Sequence, residues 1–416
     1  MSSSGVYVGF GFGPIQAGLF LLEAQRTGVF KHLTVAEIDA EIIELVRRNA
    51  GRYTVNVATP GGVEFREVGP VELLNPTVPA ERDLLIQRIA EAREAATALP
   101  SVKYYDSAPN SPAWILAKGL GERTGEEPLV LYAAENHNRA AELLCEAVKR
   151  HNFQAASKAE YLNTVIGKMS GLIKGRRQIE KLALKPVTPS ASRAFLVEEF
   201  NRILVSRPSR VTRAIPAFEE KEDLLPFEEA KLYGHNAAHA LLGYLASDWG
   251  CERMPEALGR PGLLEFVRDA FVEEAGAALV AKYKGKDPLF TPEGFLRYAE
   301  DLLERMTRKS LNDAVERVIR DPARKLGSED RFFGTIRLCL EYGTGGKRFA
   351  FGAACALAHF KPALGPQADP AEVLHELWGR TEPDLTEAAR KGWKRFHAWR
   401  REGRPELRGF WRRASG

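Results

Sequence analysis

Gly9-Phe10-Gly11-Phe12-Gly13-Pro14-Ile15-Gln16-Ala17-Gly18 follows the apolar run Val6-Tyr7-Val8 and opens a segment with helical spacing at Ile15, Leu19, Phe20 and Leu22. Glycines between a strand and a helix let the backbone turn tightly and approach a pyrophosphate. The free N–H groups and the positive end of the helix dipole then receive the negative charge. A second apolar run, Leu33-Thr34-Val35-Ala36, ends in Glu37. A carboxylate there accepts hydrogen bonds from an adenosine ribose. Strand, glycine turn, helix, strand and acid in that order point to a nucleotide site with Gly11, Gly13, Gln16 and Glu37 around it. Gln16 stands where the third glycine of the pattern usually falls.

The first half continues to alternate. An amphipathic stretch from Arg82 to Glu94 precedes a strand end at Ala95–Pro100, and Pro128–Ala134 reads as a buried strand that ends in Glu135-Asn136. Such alternation predicts an α/β fold with a parallel sheet covered on both faces, here a Rossmann-like dinucleotide domain. Ligands of these sheets lie beyond the carboxyl ends of the strands, which brings Thr97, Leu99 and Asn136 to the cofactor. Arg202–Val205 is the last convincing strand. Beyond it apolar positions recur at helical spacing between Gly and Pro breaks, predicting a mostly α-helical C-terminal domain. The expected domains are residues 1–195 and 196–416.

Composition narrows the function classes. A net charge of +4 over 416 residues is too small to imply a polyanionic partner, so nucleic acid is not expected. No apolar run approaches the roughly 20 residues of a membrane helix. Nor does a basic n-region and apolar h-region precede the first strand. The four cysteines, Cys145, Cys251, Cys339 and Cys355, lack metal or disulfide spacing. A cytoplasmic chain with reduced thiols, no metal site, no membrane partner and a monomeric or homodimeric state is the expectation. The Arg/Lys-rich tail, Arg390–Arg413, carries Trp393, Phe396, Trp399, Phe410 and Trp411. It reads as an amphipathic terminal helix whose aromatic side packs on its own domain. The rival is a nucleotide-binding regulator that uses the tail to engage a partner without catalysis.

The helix expected from Phe227 to Ser247 holds Lys231, His235, Asn236 and His239. In ideal α geometry Asn236 lies about 140° and His239 about 80° around the axis from Lys231. The pattern alone fits a solvated polar stripe as well as a reaction site. Oxidising an alcohol by hydride transfer needs a base for the hydroxyl proton and donors for the oxygen.

Lys231-x4-Asn236-x2-His239, followed by Ala240-Leu241-Leu242-Gly243-Tyr244-Leu245, resembles the signature of the polyol-specific long-chain dehydrogenases. The likeness takes in Ala134-Glu135-Asn136, the run Asp313–Val318, the run Arg320–Leu326, Asp330-Arg331, and Leu340–Gly343 with Lys347. Gly167-Lys168 departs from it, where the family carries an acid and an arginine. The resemblance implies metal-independent hydride transfer with Lys231 as general base. Asn236 and Asn163 would hold the reacting oxygen, and His239 would orient a substrate hydroxyl. A free lysine has a pKa near 10.4, so the assignment requires burial, a cationic neighbour such as a histidinium, or both. Arg320, Arg324, Lys325 and Lys347 concentrate positive charge on the substrate side, which favours a phosphorylated hexitol over a free polyol or a hexuronate. Interconversion of mannitol 1-phosphate and fructose 6-phosphate is the activity this implies. Glu37 would repel the 2′-phosphate of NADP, which favours NAD.

Overall fold

Twelve strands occur among residues 5–107, 109–200 and 202–413, the residues described by the computed structural model. They are β1 (Val6–Phe10), β2 (His32–Ala36), β3 (Tyr53–Thr59), β4 (Gly62–Val68), β5 (Val71–Leu74) and β6 (Glu94–Thr97). Then come β7 (Leu129–Ala133), β8 (Ala159–Val165), β9 (Ser170–Lys174), β10 (Arg193–Glu198), β11 (Ile203–Ser206) and β12 (Phe218–Lys221). One sheet has the order β12-β11-β8-β7-β6-β1-β2-β5, parallel except where β11 meets β8. A second sheet has the order β4-β3-β10-β9.

Every residue of β1 is buried, because helices or the second sheet cover both faces of the first. The period-two alternation of a strand splits them: Tyr7 joins one core with Tyr53, Val55, Tyr132 and Phe195. Val6, Val8 and Phe10 join another with Leu85, Leu116 and Leu131. This explains why the strands read as continuous apolar runs rather than alternating ones.

The chain divides into compact units Met1–Leu225 and Pro226–Gly416. The expected boundary at 195/196 falls inside β10, whose pairing with β3 joins segments that are distant in the sequence. Arg202–Val205 is likewise not the last strand, since β12 adds parallel to β11. The amphipathic stretch forms the helix Pro79–Glu91, and Glu94 already belongs to β6.

The second unit is helical apart from an isolated bridge between Arg253 and Ala314. Its long helices include Pro292–Met306, Lys347–Phe360 and Pro383–Arg401. The aromatic side of the tail packs inward: Trp393, Phe396 and Trp399 are almost wholly buried, and so are Phe410 and Trp411. Arg400 and Arg404 donate to Asp248, which ends the helix Ala237–Asp248, so the tail braces that helix from its far end. No described helix is long and apolar enough to cross a membrane.

The glycine turn differs locally from the expected form. The first helical segment begins with a π turn at Gln16–Phe20. Gln16 tucks its amide inward, donating to the Tyr7 hydroxyl at 2.8 Å, and lies so close over Gly9 that a Cβ there would meet it at 2.4 Å. The close helix-to-sheet approach is made by Gly18 instead, where a Cβ would stand 2.6 Å from Val197 and 3.3 Å from Val55. Gly18→Ala should therefore overpack this contact and cost about 1–3 kcal/mol. An unchanged urea midpoint for the first unit would contradict that.

Candidate active site

At the glycine turn, Gly11 has a φ of +84°, and a Cβ there would lie 3.0 Å from the Ala98 carbonyl oxygen. Its N–H donates to the Ala36 carbonyl at 2.9 Å, tying the turn to the end of β2. A Cβ at Gly13 would meet nothing within 4 Å. This open space beside the first helical turn is the cradle a pyrophosphate requires, so the residues present fit a dinucleotide. Glu37 reaches across to the turn: its carboxylate accepts from the N–H groups of Phe12 (2.7 Å), Ile38 (2.7 Å) and Asp39 (2.9 Å). Two oxygens offer about four acceptor sites, which leaves capacity for a ribose hydroxyl. Ile38 is 71 % exposed beside it, an apolar surface of the kind a nucleobase covers. Gln16, with its side chain in the core, can serve a cofactor only through its backbone.

Thr97 ends β6, and Asn136 is exposed just beyond β7. The residue that organises this edge is Glu135, which carried no role in the sequence reading. Its buried carboxylate accepts from Thr97 Oγ1 (2.9 Å), from the Leu99 N–H (2.8 Å) and from the Tyr105 hydroxyl. Burial pushes its pKa up, while these three donors act against that. An acid directly after a buried strand was the available signal. Asn163 lies on β8, but its amide is occupied locally: Oδ1 accepts from the Ala141 N–H and Nδ2 donates to Glu142, both at 2.9 Å. It thus binds the first turn of the helix Ala140–His151, a use that spacing along the chain does not disclose.

In the second unit, Lys231 and Asn236 belong to a π turn, Ala230–Asn236, which continues into the helix Ala237–Asp248. A π turn closes with i→i+5 bonds, so residues five apart stack more nearly than the 140° of an α-helix allows. Such turns occur often at functional sites. Gly234 makes room for this one, since a Cβ there would lie 2.9 Å from Phe271.

The Lys231 pKa is pushed down to about 8, chiefly by burial and then by the Arg331 guanidinium, with Glu228 acting in the opposite sense. That raises the neutral fraction at pH 7 roughly 250-fold over a free lysine. The expected cationic neighbour, a histidinium, is not the one present. His235 is buried and held well below the ordinary histidine range, so it is uncharged at neutral pH. His239 is pushed down to about 4, first by burial, with Asp313 opposing and Arg317, Arg331 and Lys325 reinforcing. Its Nε2 is buried and has no hydrogen-bond partner among the described residues, an arrangement native proteins rarely tolerate without a ligand or water.

Arg331 was quoted only as part of a motif, yet it is the common charge acting on Lys231, His235, His239 and Lys325. Asp330 holds its Nε at 2.7 Å. Thr335 Oγ1 donates to the Arg331 carbonyl (2.6 Å) and lies 3.1 Å from the Tyr233 carbonyl, linking Arg331 to the π turn. The four expected substrate cations divide. Lys325 is 2 % exposed, donates to the Arg320 carbonyl, and has its pKa pushed down to about 8 by burial and by Arg331 and Arg324. Arg320 is exposed, Arg324 is exposed and paired with Asp321 at 2.9 Å, and Lys347 is the exposed first residue of the helix Lys347–Phe360. Among the described residues no three His, Cys, Asp or Glu side chains are grouped to hold a metal ion.

Residues 223–402 match the family model of the mannitol dehydrogenase C-terminal domain. Over 387 residues the chain is 28 % identical to a mannitol-1-phosphate 5-dehydrogenase of Brevibacillus brevis, covering 91 % of this chain and 92 % of that one. Over 331 residues it is 29 % identical to a protein of the same name from Bacillus velezensis, covering 79 % and 82 %. Two solved structures share the fold at 15 % identity. A substrate-free D-sorbitol dehydrogenase has a TM-score of 0.75 and covers 97 % of this chain and 94 % of its own. A Pseudomonas fluorescens mannitol 2-dehydrogenase in ternary complex with NAD and D-mannitol has a TM-score of 0.72 and covers 96 % and 93 %.

The environment of Lys231 has a consequence that needs no substrate. Acylation of its amine, followed by peptide mapping across a pH series, should reach half its limiting rate near pH 8. Half-reaction near 10.4, as for a free lysine, would contradict the effect of burial and Arg331.

Proposed function

We propose that this chain, an oxidoreductase of the mannitol dehydrogenase family, interconverts mannitol 1-phosphate and fructose 6-phosphate with NAD. The observation that carries the reading is the depressed proton affinity of Lys231, on one π turn with Asn236 and followed by the unpartnered Nε2 of His239. A protein that only bound a nucleotide would have no use for a lysine of lowered proton affinity.

Neutral Lys231 takes the proton of the substrate hydroxyl as the C–H bond yields its hydride. Asn236 donates an amide N–H to the oxygen as it becomes a carbonyl, and His239 Nε2 bonds a neighbouring hydroxyl. Asn163, whose Oδ1 accepts from the Ala141 N–H and whose Nδ2 gives one N–H to Glu142, has a second amide N–H for the same oxygen as Asn236. In the reverse direction protonated Lys231 returns the proton. NAD supplies the hydride acceptor when bound. The Gly11–Gly13 turn would hold its pyrophosphate, and Glu37 its adenosine ribose, with Thr97, Leu99 and Asn136 at the strand ends beyond. The carboxylate of Glu37 opposes a 2′-phosphate. On the substrate side, buried Lys325 and the outer cations Arg320, Arg324 and Lys347 favour a phosphate over a neutral chain end.

Lys231→Ala should lower kcat for polyol oxidation by about 10²–10⁴ while leaving NADH binding, read by fluorescence, nearly unchanged. The wild-type oxidation rate should climb with pH and level off above about 8, because only the neutral amine accepts a proton. Ketose reduction should fall through the same range. Activity of the variant within a few-fold of wild type would remove Lys231 from the chemistry.

Substrate choice is tested by NADH oxidation with fructose 6-phosphate, fructose and tagaturonate-type keto acids, and by NAD reduction with mannonate, each repeated with the 2′-phosphorylated cofactor. Fructose 6-phosphate should exceed fructose in kcat/KM by several orders of magnitude, with NADH the better donor. Equal values for the two sugars would favour a free-polyol enzyme.

A further inference from the structure

We propose that Arg331, together with Lys325, is the fork that grips the phosphate of the substrate, an inference that rests on the proposed phosphorylated substrate. Arg331 is only 9 % exposed, yet Asp330 engages only its Nε side. Its two terminal nitrogens have no hydrogen-bond partner among the described residues. A guanidinium presents its donors as a planar fork that suits two oxygens of one phosphate.

The surroundings favour an anion. Arg331 and Lys325 are both buried and act on each other as like charges. Asp330 and Asp321 are the carboxylates facing Lys325, but Asp330 already holds Arg331 and Asp321 already pairs with Arg324. Arg317 is committed to Asp313 through its Nε at 2.6 Å. Lys325 therefore remains a buried cation without a carboxylate of its own, and Asp330 engages Arg331 only at its Nε, so a dianionic group would relieve their repulsion where a hydroxyl could not.

The geometry also holds Arg331 in place. Thr335 ties its carbonyl to that of Tyr233, and Gly334 admits the Tyr233 ring so closely that a Cβ would stand 2.5 Å from it. The fork is thus fixed to the same π turn that carries Lys231. Arg320, Arg324 and Lys347, all exposed, then act as outer attraction for an incoming anion rather than as the grip.

The test is the ratio of kcat/KM for fructose 6-phosphate to that for fructose, which cancels any general effect on the base. In Arg331→Gln this ratio should fall by about 30-fold or more, the loss expected for one buried charge-assisted contact. Arg331→Lys, which keeps the charge without the fork, should lose about tenfold and provides the readout if the glutamine variant does not fold. Inorganic phosphate, as a competitive inhibitor of the wild type, should inhibit either variant much more weakly. A ratio and phosphate inhibition unchanged in the variants, with the wild type preferring the phosphorylated sugar, overturns the role of Arg331 alone. A wild type with no preference overturns the phosphorylated substrate itself, and this inference with it.

Discussion

An ammonium group buried beside a guanidinium is unfavourable, and the second unit is organised around that constraint. The conflict lowers the proton affinity of the lysine, the only one of the two that can release a proton near neutral pH. Glu228 moderates the effect, and Asp330 holds the arginine without cancelling its influence. The histidines respond to the same field: His235 and His239 are both kept uncharged, so neither competes with Lys231 for the proton. A base and neutral hydrogen-bonding partners thus arise from one arrangement of burial and positive charge.

That arrangement needs rigid support, and much of it comes from widened helical turns. Ala230–Asn236 and Ala270–Gly276 are both π turns, and they meet through Gly234 and Phe271. Gly276 in turn lets Phe295 approach so closely that a Cβ would stand 2.6 Å away. Farther along the helix, Asp248 is gripped by Arg400 and Arg404 of the tail. The basic aromatic tail is therefore part of the packing that fixes the reactive helix. In the first unit Gln16–Phe20 is a third π turn, and it moves the close-packing glycine from position 16 to position 18.

Local rules made much of this legible in the chain itself. The glycine turn, the apolar runs of β1, β2 and β7, and Glu37 all depend on neighbours within a few tens of residues, so their order disclosed the nucleotide fold. The helical character of the second half followed from apolar periodicity. Motif order from Lys231 to Lys347 pointed to the family, which the match over residues 223–402 bears out. Strands β9 and β12 were harder to see, being short, partly exposed and mixed with polar residues. The boundary between the units was hidden because β10 pairs with β3, on the far side of more than a hundred residues of chain.

By itself, then, the sequence determined the residue types that could do the chemistry and the two kinds of fold that carry them. Only tertiary structure decided which of them stand in which environment. Burial and unlike or like charges across space set a pKa, and neither is encoded by spacing within a helix. The three-dimensional arrangement drew Arg331 toward Lys231, turned Gln16 into the core and gave the Asn163 amide to the helix Ala140–His151. It separated buried Lys325 from exposed Arg320, Arg324 and Lys347, four cations that look alike in the chain. The reason is physical: the free energy of a charged group depends on what surrounds it, and its surroundings come from segments that only folding brings together.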